Sequence, residues 1–140
     1  MYETVRIETD ARGVATLWLA RPEKHNAMSA QMLEELAAAA EALAADETVR
    51  AVVLAAEGKS FCAGGDLGWM QEQMAATAEE RAAGARRLAE MLGALDTLPK
   101  PVIGRIQGQL IEVPNCGHNV HSQNTLGFLD AVGPFLESLS

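Results

Sequence analysis

The 140-residue chain predicts an α/β fold, a short and mostly parallel sheet with flanking helices, on three observations. Strand-like apolar runs at residues 14–19, 49–56 and 101–106 are separated by stretches of helical periodicity, so strand, helix and strand alternate. The middle run is continuously apolar apart from Arg50, the pattern of a strand covered on both faces. Cap residues stand where the helices should begin, Ser29 before the first and Thr77-Ala-Glu-Glu80 before a later one.

Residues 4–8 alternate polar side chains with Val5 and Ile7, and Asp10-Ala-Arg-Gly13 supplies turn chemistry before the run at 14–19, so the chain should open with a hairpin. After Ser29, Met32, Leu33, Leu36, Ala37, Ala40, Leu43 and Ala44 recur at helical spacing, with Glu34, Glu35 and Glu41 off that stripe on a face expected to be solvated. The run at 49–56 ends in Glu57-Gly58-Lys59 and leads into a glycine loop. From the capping box, Ala85, Leu88, Ala89, Leu92 and Leu95 continue a helix that Thr97-Leu98-Pro99 closes. Residues 101–106 then read as another short buried strand. The remainder reads as a strand at 110–113, a turn at 114–117 and a helical stripe of Leu126, Leu129, Val132, Leu136 and Leu139, with a kink at Gly133-Pro134.

Length suits one compact unit with a real core. With 49% apolar and 21% charged residues the chain lies far from the composition of disordered proteins. A net charge of −8, with Lys and Arg scattered, leaves no electrostatic footprint for nucleic acid. No stretch approaches the length of a membrane span, the first residues carry no apolar signal core, and Cys62 and Cys116 make no disulfide framework. A cytoplasmic setting is the expectation.

The chemistry concentrates at residues 60–70, SFCAGGDLGWM, where adjacent glycines precede an acid after a strand-like run. Such a backbone can aim bare N–H groups at a developing negative charge, and a helix beginning near Asp66 would add its N-terminal dipole. Together with RPEKHNAMS at 21–29 and PKPVIGRIQG at 99–108, this segment resembles the N-terminal half of the enoyl-CoA hydratase/isomerase (crotonase) family over residues 2–109. The resemblance implies a truncated crotonase-like ββα-type layer, an acyl-CoA thioester as substrate and no separate cofactor or metal. It implies the first oxyanion-hole donor at the Gly65 N–H, and CoA contacts at His25, Ala27, Ala63, Gly65, Asp66 and Leu67. Arg21, Lys24 and His25 are the cations nearest that site, and Trp69 stands close enough to Gly65 to border an acyl pocket. It also implies a homo-oligomer, or association with a relative, because family members form trimers.

Beyond Gln109 the pattern changes. The family's second donor comes from a glycine-rich stretch a few residues after Gln107-Gly108, where this chain has Leu110-Ile-Glu-Val-Pro114 with no glycine. No residue matches the family's catalytic carboxylates, and Glu112 reads as a solvent-facing strand residue, so impaired turnover is expected. Residues 110–140, a strand, loop and helix, resemble the C-terminal end of α/β-hydrolases, with His118 at the histidine position. No G-x-S-x-G elbow accompanies it, which argues against a hydrolase. Cys116, His118 and His121 have the wrong spacing for a strong zinc site.

Overall fold

Alternating side chains drive the opening hairpin. In the computed structural model β1 (Val5–Thr9) and β2 (Val14–Leu19) pair antiparallel, with Val5 opposite Leu19 and Thr9 opposite Ala15. Asp10 makes the turn: its Oδ1 accepts from the N–H groups of Arg12 (2.8 Å) and Val14 (3.1 Å). The structure describes residues 2–107 together with Asp130 and Pro134. The chain divides into two compact units, Met1–Gln107 and Gly108–Ser140. The expected strand at 110–113, the turn at 114–117, Glu112, Cys116, His118, His121 and the stripe from Leu126 to Leu139 lie outside the described residues. Of the expected kink at Gly133-Pro134 only Pro134 is described, and it is helical.

Helix α1 (Ala30–Ala45) starts where Ser29 predicts, the serine Oγ accepting from Met32 N at 3.2 Å. Helix α2 (Leu67–Ala75) is capped by Asp66, and α3 (Ala78–Asp96) by the full reciprocal box of Thr77 and Glu80. Strand β3 (Ala51–Ala56) pairs parallel to β2, and β4 (Val102–Gly104) parallel to β3, giving the order β1-β2-β3-β4. The mostly parallel sheet with flanking helices is therefore the observed architecture. Its core joins Val5, Ala15, Leu17, Leu19, Val52 and Ala56 of the sheet to Met32, Leu33, Leu36, Ala39, Ala40 and Leu43 of α1 and Met91 of α3.

Three expectations need correction. Strand β4 is not buried: all three residues are exposed, with Ile103 57% and nearby Ile106 66% accessible, because β4 is the last strand of the sheet order and no other element of the described residues covers its side chains. On α3 the core face runs through Gly84, Leu88, Met91 and Leu95, one position round from the expected Leu92, which is 52% exposed. Glu35 is no solvated surface acid, for it accepts hydrogen bonds from Thr4 Oγ1 (2.6 Å), Thr4 N (2.7 Å) and Glu3 N (3.1 Å). Burial alone would raise its pKa, yet the bonds from Thr4, Glu3 and Gln31 outweigh burial and lower it to about 2.

Candidate functional site

Two loops form the site, one after β2 and one after β3. Leaving β2, the chain makes a single 3-10 turn at Pro22–Lys24, and His25 and Asn26 follow in the left-handed region at φ 51° and 55°. Those conformations disfavour most side chains but are tolerated by Asn and His. Asn26 is fully buried, and its amide is fully engaged. Its Oδ1 accepts from Arg21 N (2.9 Å), while Nδ2 donates to the carbonyls of Glu57 and Ser60, both at 2.8 Å. This one side chain therefore ties the first loop to the end of β3.

A short ladder then joins the loops. Ala63 N donates to His25 O (3.0 Å), Met28 N to Gly64 O (2.8 Å) and Asp66 N to Met28 O (2.9 Å), so that Met28 and Gly65 face each other as an isolated parallel bridge. Gly64 sits at φ +95°, where only glycine is at ease. The direction of the Gly65 N–H follows from that ladder. In a trans peptide the C=O and N–H point in opposite directions, and the chain has no cis peptide. Since the Gly64 carbonyl turns toward Met28, the Gly65 N–H of the same peptide turns away from it. That N–H has no hydrogen-bond partner among the described residues.

A cleft of about 470 Å³ opens between the loops, lined by Glu23, Lys24, His25, Ala27, Ala63, Gly65, Asp66, Leu67 and Gly68. All six residues singled out as contacts from sequence meet there. Their side chains differ in availability. Leu67 is 77% exposed, and His25 Nδ1 lies 3.3 Å from Ser60 Oγ. The Asp66 carboxylate is already committed: Oδ1 accepts from Gly68 N (2.9 Å) and Trp69 N (3.3 Å), and Oδ2 from Arg21 Nη2 (3.2 Å). The Trp69 N–H does most to hold its pKa below the ordinary value, and Arg21 and Gly68 add to this against the opposing effect of burial.

Arg21 is equally committed, its Nη1 donating to Ala27 O at 2.8 Å. Of the three cations expected near the site, Arg21 is thus a half-buried strut, whereas Lys24 and His25 line the cleft. Sequence reasoning did not assign the structural roles of Arg21 and Asn26. An Asn directly before a small residue, at the end of a 3-10 turn, was the available signal for the second.

An apolar groove of about 280 Å³, lined by Trp69, Met70, Gln73, Met74 and Arg81, lies on α2 and the start of α3. A Cβ placed on Gly65 would stand 3.4 Å from Met70 Cγ and 4.0 Å from Trp69 Cε3, so Gly65 borders the side chains of that groove. The Cys62 Sγ is occupied locally, accepting from Gly64 N at 3.4 Å. Among the described residues no group of three His, Cys, Asp or Glu could hold a metal ion, and no helix is long and apolar enough to cross a membrane.

The sequence model of the enoyl-CoA hydratase/isomerase family matches residues 9–123, and so runs past Gln109. A curated relative from Mycobacterium tuberculosis, named a probable enoyl-CoA hydratase, is 41% identical over 103 residues, which are 74% of this chain and 39% of that protein. Among solved structures, an enoyl-CoA hydratase from Shewanella pealeana superposes with a TM-score of 0.73 at 36% identity, covering 76% of this chain and 40% of that one. One from Mycobacterium smegmatis gives 0.70 at 44% identity, with the same coverages. The chain thus spans about two fifths of the length of these relatives. Over that span the mostly parallel sheet has the fold of these neighbours, and the chain belongs to the enoyl-CoA hydratase/isomerase family.

Proposed function

We propose that the cleft between the two loops binds an acyl-CoA thioester and that the Gly65 N–H donates a hydrogen bond to the thioester carbonyl. The observation that carries this reading is the Gly65 N–H, which lies in the lining of the cleft and has no hydrogen-bond partner among the described residues. A hydrogen bond to an oxygen that gains negative charge strengthens as the charge develops, which is what an enolate-forming reaction requires. Lys24 and His25 would face the anionic CoA moiety, and the groove at Trp69, Met70 and Met74 would take the apolar acyl chain.

Hydration or double-bond migration by this chain alone should be slow. The segment after Gly108 offers no glycine-rich donor loop, and losing one of two donors costs about 10²- to 10³-fold in rate. The test is thermal stability during titration with acetoacetyl-CoA, beside hydration of crotonyl-CoA. A ligand that prefers the folded state must raise the midpoint, by about 2.7 kcal/mol of stability at a hundred times Kd. No shift at saturating thioester would remove the reading.

The exposed Val102, Ile103 and Ile106 favour a second reading, a noncatalytic fragment that associates with itself or with a longer relative. Sedimentation over a concentration series separates the two, since ligand binding alone predicts a constant mass.

A further inference from the structure

We propose that the Arg21–Asp66 ion pair is the positioning device of this site, holding the Gly64–Gly65 peptide so that its N–H stays open to ligand. The inference rests on the acyl-thioester reading above and assigns to the pair a role beyond stability.

Two consecutive glycines are the most easily rotated dipeptide a chain can offer. A flip of the peptide between them would exchange the Gly64 carbonyl for the Gly65 N–H and close the donor against Met28. The bridge to Met28 opposes that flip with two main-chain bonds, Met28 N to Gly64 O at 2.8 Å and Asp66 N to Met28 O at 2.9 Å. Both depend on the two loops staying at one separation. Arg21 sets that separation. One arm of its guanidinium holds the Ala27 carbonyl at 2.8 Å, next to Met28, and the other holds Asp66 Oδ2 at 3.2 Å, next to Gly65.

Both side chains are mostly buried, at 18% and 19% exposure, so solvent screens the pair little. Asp66 carries the constraint onward, because its second oxygen caps α2 through Gly68 and Trp69. One carboxylate therefore joins the first loop, the glycine peptide and the helix. A lysine at position 21 would be a point charge without the planar fork that spans both partners. Arg21 does not line the cleft, and the Asp66 carboxylate is already bonded to Arg21 and to the start of α2, so the pair acts through Gly65.

Two variants separate positioning from stability. Asp66→Asn keeps an oxygen for the α2 cap and removes the charge facing Arg21, while Arg21→Lys keeps the charge and loses the fork. The probe is cinnamoyl-CoA, whose absorption moves to longer wavelength when its carbonyl accepts a hydrogen bond, compared with free CoA. In the unaltered chain cinnamoyl-CoA should bind with a red shift, and the amides of Met28 and Asp66 should be protected from hydrogen exchange.

In both variants the red shift should vanish, the preference for thioester over CoA should fall about tenfold, and protection at positions 28 and 66 should drop. In Arg21→Lys, whose residue does not line the cleft, affinity for free CoA should stay within about twofold. Retention of the red shift, or of full amide protection, in both folded variants overturns the proposal. Absence of any red shift in the unaltered chain removes the acyl-thioester reading instead. The exchange measurement, which needs no ligand, then decides by itself whether the pair holds the bridge. Thermal melts show that each variant is folded, and Arg21→Lys stands alone if Asp66→Asn is not.

Discussion

The two loops of the cleft and the edge strand β4 are built from the same sheet, yet one is closed on itself and the other is open. In the loops every buried polar side chain is paired, Asn26 with three main-chain groups and Arg21 with Asp66 and Ala27. Strand β4 is apolar and paired to β3 on one side, but Val102, Ile103 and Ile106 face outward. Loop geometry of this kind is satisfied within the described residues, so it can form without anything else. An apolar strand at an edge is satisfied only when something covers it.

The largest effect should come from breaking the closed region at its centre. Asn26→Ala strands the Arg21 N–H and the carbonyls of Glu57 and Ser60, and leaves alanine at φ 55°. At about 1–3 kcal/mol for each unsatisfied buried group, urea unfolding should show a loss of about 4 kcal/mol. Next comes α3, which packs on α1. Met91→Ala should cost about 3 kcal/mol, while Leu92→Ala should change stability by less than about 0.5 kcal/mol. Equal losses would mean that α3 does not present the face described.

A smaller, pH-dependent effect belongs to Glu35, the clasp between α1 and the residues that precede β1. Its folded pKa of about 2 lies below the ordinary 4.5, so its stabilisation is full above about pH 5 and disappears as pH falls through 4.5 toward 2. After allowance for partial solvent screening the loss should be about 1–2 kcal/mol. Comparing Glu35→Gln with the unaltered chain in acid titrations should show a correspondingly flatter profile; identical profiles would exclude the clasp. The smallest effect on folding belongs to the open region. Ile103→Lys should alter monomer stability by less than about 0.5 kcal/mol, and in sedimentation it should weaken any self-association that uses β4.

The amino-acid sequence alone determined the elements whose signals are local. Ser29, Asp66 and the Thr77–Glu80 box each bond main-chain groups two or three residues away, so the starts of α1, α2 and α3 are legible without any knowledge of the fold. The hairpin is legible because Asp10 makes its turn within four residues. The loop residues that line the cleft were indicated by the family resemblance, which could be seen because SFCAGGDLGWM and RPEKHNAMS are each contiguous in the chain.

Only the tertiary structure decided what those residues do to one another. Arg21 meets Asp66 across 45 positions and Asn26 meets Glu57 across 31, and nothing near either residue announces the partner. For the same reason the apolar run at 101–106 could be read as a strand but not as an exposed one. Hydrophobicity records that burial would be favourable, whereas burial itself depends on which element lies alongside.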